Sequence, residues 1–130
     1  MRQQSGSCCH ACVTLSACAL STGSLCLALA ALAQSTRLET FRLLVRHEPA
    51  GLPAGEIADA LAVPANTMSA HLGVLSRAGL ISSERRSRSI IYRADLDRLQ
   101  TLVLFLLKDC CQGRAELCEP LLAELAPCRA

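Results

Sequence analysis

Tryptophan is absent from the chain, and Phe41, Tyr92 and Phe105 are its only aromatic side chains. Proteins that hold single-stranded nucleic acid stack bases on aromatic platforms, so this shortage argues against that role. No uninterrupted run of about twenty apolar residues occurs, which excludes an ordinary transmembrane helix and any membrane partner of that kind. Charge of one sign is not in excess either: the formal net charge is +2. No glycine-rich loop accompanies a cysteine, so the anion-binding loop of a thiol enzyme is missing and catalysis is not expected. With 130 residues there is material for one small domain, whose modest core gains from dimerisation.

Cysteine, by contrast, is abundant, with nine residues. An odd count in a leucine- and alanine-rich helical body speaks against the disulfide framework of a secreted mini-protein. Five cysteines lie at or before Cys26 and four at or after Cys110, so the middle, where staples would pin a core, has none. Reduced thiols in a cytoplasmic protein, available to a soft metal or metalloid, fit this distribution.

Residues 1–24 carry Cys8, Cys9, His10, Cys12 and Cys18 in a small, polar background. Thiolate and imidazole suit soft or borderline ions. The CCHxC spacing is nevertheless too compressed for a zinc finger, and the segment is expected to be a disordered tail. Arg2 ahead of an apolar stretch ending ALAALAQS has the look of an export signal. Ser16, Ser21, Thr22, Gly23 and Ser24 break that apolar run, and no boundary separates Leu25 from the helix that follows, so export is not expected.

From Leu25 to Ala33 the chain is apolar on every side, the mark of a helix buried between partners; Cys26 is expected inside it as a small core residue. Ser35 or Thr36 is placed to cap a second helix, with Leu38, Phe41, Leu44 and Val45 as its inward stripe and His47 at its end. Leu52-Pro53 opens a short helix, Ala54 to Leu61, with Ile57, Ala58 and Leu61 inward. Val63-Pro64 interrupts, and Pro64 suits the first position of the next helix, Ala65 to Ala78. There Met68, Leu72 and Leu75 recur at helical spacing and must face the core. The opposite face shows Asn66, Thr67, Ser69, Ala70 and Gly73. These are small or hydrogen-bonding side chains of the kind that meet base edges, where a merely solvated helix would show Glu and Lys. His71 borders the stripe, and donation to a phosphate and filling of a core edge both remain open for it. Gly79 stands where a helix-ending left-handed residue belongs.

Leu80 to Arg93 reads as a β-hairpin with Arg85-Arg86-Ser87-Arg88 at its tip. Six arginines (77, 85, 86, 88, 93 and 98) against Glu84, Asp95 and Asp97 make a local basic strip. Two helices joined by a tight turn and followed by a basic hairpin form the pattern of a winged helix-turn-helix, which sets its second helix in the major groove of double-stranded DNA. The expected contact residues are Asn66, Thr67, Ser69, Ala70, His71, Arg77, Arg85, Arg86 and Arg88, the tip arginines on phosphates or in the minor groove.

STRLETFRLL, the SAHLGVLSRAGLI run and the arginine-tipped hairpin ending in Tyr92 resemble the ArsR/SmtB family of small homodimeric metal-sensing repressors. The match covers roughly Leu25 to Cys111. Two departures stand out. Ser87 occupies a wing position where the family often has Gly. The family's common sensing residues are also missing: GEIADAL lacks the cysteine pair of many arsenic sensors, and Asp95-x-Asp97 with Lys108 lacks the imidazoles of the zinc pattern.

The sensor must therefore lie elsewhere. Asp95 to Cys111 is a helix with Leu96, Leu99, Leu102, Val103, Leu104, Phe105, Leu106 and Leu107, apolar nearly all round. With the helix near Leu25 it makes a dimer interface through Leu25, Leu29, Leu99, Leu102, Val103 and Leu106, a reading that leans on the resemblance as well. Cys110 and Cys111 end the helix, and Gly113 is a C-cap candidate. Seven further helical residues would put Cys118 about 10.5 Å from Cys111 along the axis. To share an ion the chain must turn back, or Cys118 must come from the other subunit. Cys110, Cys111 and Cys118 then make a sulfur-only site, which favours three-coordinate As(III) or Sb(III) over four-coordinate zinc; Cys128 is a spare thiol. Family variants with such a C-terminal trio are arsenite sensors, and this chain resembles them. The expectation is a mainly α protein with a small β-hairpin: tail 1–24, winged helix-turn-helix domain 25–111 and cysteine-containing tail 112–130. It would bind an inverted-repeat operator as a homodimer and be released by trivalent metalloid. The alternatives are another soft ion (Cd, Zn, Pb) or thiol oxidation as the signal.

Overall fold

The computed structural model describes residues 21–110 and 114–125. Helix α1 (Thr22–Leu32) starts at Ser21, whose hydroxyl accepts the Ser24 N–H. It packs on the two helices named next, α2 and α4. Leu25, Ala28 and Ala31 are buried, but Cys26, Leu27, Leu29 and Ala30 are exposed. Within the single chain one face of α1 is thus buried and the other exposed.

Helix α2 (Ser35–Arg46) is capped by Gln34, not by Ser35 or Thr36: the Gln34 side chain accepts the Arg37 N–H at 2.9 Å. Arg37 Nε in turn donates to the Ala31 carbonyl at 2.7 Å, satisfying the end of α1. The inward set of α2 is Thr40, Phe41, Leu43 and Leu44, whereas Leu38 is exposed. The set is wider than the expected stripe because α2 touches α1, both helices of the helix-turn-helix and the sheet. Thr40 is wholly buried without penalty, since its hydroxyl donates back to the Thr36 carbonyl at 2.8 Å. His47 caps the end.

Leu52–Pro53, read from sequence only as a helix opening, is a short strand β1. It pairs antiparallel with β3 (Ser89–Ala94) in the register Leu52 to Tyr92 and Pro53 to Ile91. On its other side β3 pairs with β2 (Ile81–Arg86), giving a three-stranded sheet in the order β1-β3-β2 rather than an isolated hairpin. Pro53 lies on an edge strand, where its missing N–H costs no ladder bond. The hairpin turn is Ser87-Arg88, with Ser87 at φ 58° where the resembled family often has Gly.

Between β1 and β2 lie α3 (Ala54–Leu61) and α4 (Ala65–Arg77). Ala62 ends α3 in the left-handed region, and Pro64 is the N-cap of α4, one place earlier than expected. Ile57, Ala58, Met68, Leu72 and Leu75 are buried as expected, and Gly79 has φ 78° just after α4. Helix α5 (Leu96–Phe105) continues as a π-helical turn, Leu106–Cys110. Helix α6 (Ala115–Leu125) occupies much of what was expected to be a tail. The chain divides into two units between Leu99 and Gln100. Among the described residues no helix is long and apolar enough to cross a membrane.

Candidate nucleic-acid interface

Helix α4 is held from beneath. Met68, Leu72 and Leu75 are at most 1% exposed, and the Met68 sulfur lies 3.8 Å from the Thr40 hydroxyl of α2. At about 100° per residue the side opposite this stripe falls on Asn66, Ala70, Gly73 and Arg77. Asn66, Ala70 and Arg77 are exposed, as are Thr67 and Ser69 on the flanks, while His71 is half-buried at the border. The Asn66 carboxamide accepts the Thr67 N–H at 2.9 Å, so it is oriented at the helix start. Gly73 leaves room for the Arg77 side chain to lie back along the helix: a Cβ there would come within 3.3 Å of its guanidinium. The face is narrow, polar and short in side chain, with one cation at its far end.

The wing carries the other cations. Arg85, Arg86, Ser87 and Arg88 are all exposed. Glu84 engages Arg86 at 3.3 Å, whereas among the described residues neither Arg85 nor Arg88 has a carboxylate partner. The six-arginine strip read from sequence therefore separates into two groups. Arg77, Arg85, Arg86 and Arg88 point to solvent. Arg93 is taken up by Glu48, with contacts of 2.8 and 3.4 Å, and its pKa is raised by that hydrogen bond and the adjacent carboxylate charge. Arg98 is taken up by Ser24. Neither role was legible, because Glu48 and Ser24 lie far away in sequence. Sequence reading also missed β1, whose pairing ties the root of the wing to the start of α3. Its only signal was a two-residue Leu-Pro.

At the wing root a surface depression of about 400 Å³ is lined by Glu48, Arg93, Asp95 and Asp97, among others. Its arginine is already engaged by Glu48.

The expected dimer residues divide as well. Leu25 and Leu102 are buried within the single chain, at 7% and 3% exposed. Leu29 and Val103 are 40% and 44% exposed, and Leu99 and Leu106 are half-buried. Of the expected sulfur ligands, Cys118 is half-buried on α6. Cys111 and the Cys110 side chain lie outside the described residues, as do Gly113, Cys128 and the N-terminal Cys8, Cys9, His10, Cys12 and Cys18. Among the described residues no group of three or more His, Cys, Asp or Glu is arranged to hold a metal ion.

Residues 32–84 match a family described as a helix-turn-helix domain. No curated protein matches the chain. Solved structures do. An ArsR-like transcriptional regulator from Rhodococcus is 27% identical over 80% of this chain and 93% of its own, with a TM-score of 0.63. A possible ArsR-family regulator from Mycobacterium bovis, described as a homodimeric winged helix-turn-helix DNA-binding domain, is 25% identical over 74% of this chain and 94% of its own, TM-score 0.54. The transcriptional repressor BigR from Xylella fastidiosa is 25% identical over 65% of this chain and 84% of its own, TM-score 0.52. The exposed short-polar helix beside a basic wing, the matched helix-turn-helix domain and these solved structures together make this chain similar to ArsR-like winged-helix DNA-binding regulators.

Proposed function

We propose that the protein is a homodimeric transcriptional repressor that binds an inverted-repeat operator and leaves it when trivalent arsenic or antimony binds Cys110, Cys111 and Cys118. The observation that carries the DNA half is the exposed Asn66, Thr67, Ser69, Ala70 and Arg77 face of α4 beside the exposed Arg85 and Arg88, which have no carboxylate partner among the described residues. Short donors and acceptors read base edges, while wing arginines hold phosphates and set register. His71, half-buried at the rim, is assigned to a phosphate.

Dimerisation is supported by apolar residues that are exposed among the described residues: Cys26, Leu27 and Leu29 on α1 and, separately, Val103 on α5. Two recognition helices about 34 Å apart meet successive major grooves on one side of the duplex. The M. bovis relative is described as a homodimer.

The ligand half rests on donor chemistry. Three thiolates with no imidazole or carboxylate at matching spacing suit a soft, three-coordinate ion. Helix α6, which carries Cys118, begins soon after the π-helical turn ending at Cys110, so ligation joins the end of one helix to the next. Release requires only that the metalloid bind the DNA-free form better; a tenfold weakening of operator binding corresponds to a coupling of about 1.4 kcal/mol.

A gel-shift titration of promoter DNA with arsenite, antimonite, cadmium, zinc and peroxide in parallel tests the reading. Arsenite and antimonite release DNA, and Cys110→Ser, Cys111→Ser and Cys118→Ser bind DNA normally but stay bound. Release of the triple variant by arsenite overturns the site assignment. Release by peroxide alone makes the thiols a redox switch instead.

A further inference from the structure

Arg98 takes no part in the interface described above, yet it touches three elements at once. It stands on the first turn of α5, and its Nη2 donates to the Ser24 hydroxyl on the first turn of α1. Its guanidinium lies against Gly79, the left-handed residue (φ 78°) that follows the recognition helix. A Cβ at Gly79 would meet Arg98 Nε at 3.3 Å and Cζ at 3.5 Å, so the close approach depends on glycine.

The backbone makes a second link between the same places. The Asp95 N–H donates to the Leu80 carbonyl at 2.8 Å, and the Leu80 N–H donates to the Leu75 carbonyl of α4 at 3.1 Å. The Asp95 carboxylate accepts the Arg98 N–H at 3.0 Å. Arg98 Nε itself is buried and has no hydrogen-bond partner among the described residues. Leaving a buried N–H unpaired costs the desolvation of that donor.

We propose that Arg98 is a positioning residue that couples the recognition helix to α1 and the start of α5. A displacement of either helix moves the guanidinium on Gly79, pulls the Asp95–Leu80 bond and shifts the last turn of α4. Such a linkage needs a contiguous packed and hydrogen-bonded network, which Arg98, Gly79, Leu80 and Asp95 supply. The inference deepens the regulator reading, on which its biological use rests, by naming how a change in the dimer helices reaches the DNA-reading face. The coupling itself is a property of the DNA-free protein.

Hydrogen–deuterium exchange on the full chain without DNA tests it in Ser24→Ala, Arg98→Met and the double variant. Ser24→Ala keeps the Ser24 N–H bond to Ser21 and introduces a better helix former, so this variant folds. The Gly79 and Leu80 amides, bonded to the Ser76 and Leu75 carbonyls, should exchange about three- to tenfold faster in Ser24→Ala. Arg98→Met should speed them at least as much, and the double variant no more than Arg98→Met alone. Unchanged exchange at Gly79 and Leu80 in Ser24→Ala overturns the proposal, and so do effects that multiply in the double variant. Failure of the regulator reading shows separately, as wild-type protein that does not bind promoter DNA, and leaves the exchange cycle readable.

Discussion

The wing arginines give the sharpest quantitative expectation. Arg85 and Arg88 are exposed and have no carboxylate partner among the described residues, whereas Arg86 is engaged by Glu84 at 3.3 Å. Each phosphate neutralised on duplex DNA contributes about 0.9 to the slope of log K against log salt. In the proposed homodimer, two copies of Arg85→Ala/Arg88→Ala remove four such contacts, so the slope should become shallower by about 3.6. Over a rise from about 50 to 200 mM salt, the affinity advantage of the wild type should then shrink by about a hundredfold. Arg86→Ala should flatten the slope less than Arg85→Ala or Arg88→Ala, because its charge is already partly countered. Arg42→Ala supplies the control: Arg42 is an exposed arginine on α2 that pairs with Glu39 at 2.9 Å, and its loss should leave the slope unchanged. Fluorescence anisotropy on a fixed promoter duplex across a salt series measures all of these. A wing double variant with an unchanged slope, or an Arg42 variant that flattens it equally, would refute phosphate contact by the wing.

Two glycines should answer alanine in opposite ways. At Gly51 (φ 75°) a Cβ would come within 2.5 Å of the Tyr92 carbonyl and 2.7 Å of Arg93 Cγ, so Gly51→Ala should destabilise by about 2–4 kcal/mol through left-handed strain and overlap against β3. At Gly55, inside α3, a Cβ would meet nothing within 4 Å, and Gly55→Ala should stabilise by up to about 1 kcal/mol; chemical denaturation ranks the pair. Met68→Ala should cost about 2–5 kcal/mol, since Met68 is 0% exposed beneath the reading face, with promoter affinity recovering at temperatures where the variant is folded. If that affinity stays lost in folded protein, Met68 does more than support α4.

Several readings hold because they rest on local chemistry. The apolar spacing of Met68, Leu72 and Leu75 determines which side of α4 is buried, and by exclusion which side is offered outward. Gly79 marks the helix end because only a residue tolerant of positive φ fits there. The misses come from distant partners. Leu38 belongs by helical period to the stripe of α2, yet Thr40 and Leu43 are buried and Leu38 is exposed. The neighbours of α2 come from four other elements, and their placement decides which arc is covered. Cys26 was expected in a core and is exposed, on the face of α1 turned away from the buried Leu25, Ala28 and Ala31.

What the sequence by itself determined is the reading head: two helices about a tight turn, a basic hairpin and the exposed small-polar face between them. Periodicity, turn residues and charge act over a few residues and are written in order along the chain. The tertiary structure alone decided how that head is held. It added β1 as a third strand, withdrew Arg93 to Glu48 and Arg98 to Ser24, and left Cys26, Leu27 and Leu29 of α1 exposed among the described residues. Each of these pairs groups far apart in sequence, and no local pattern records which distant side chain will satisfy a charge or cover an apolar face.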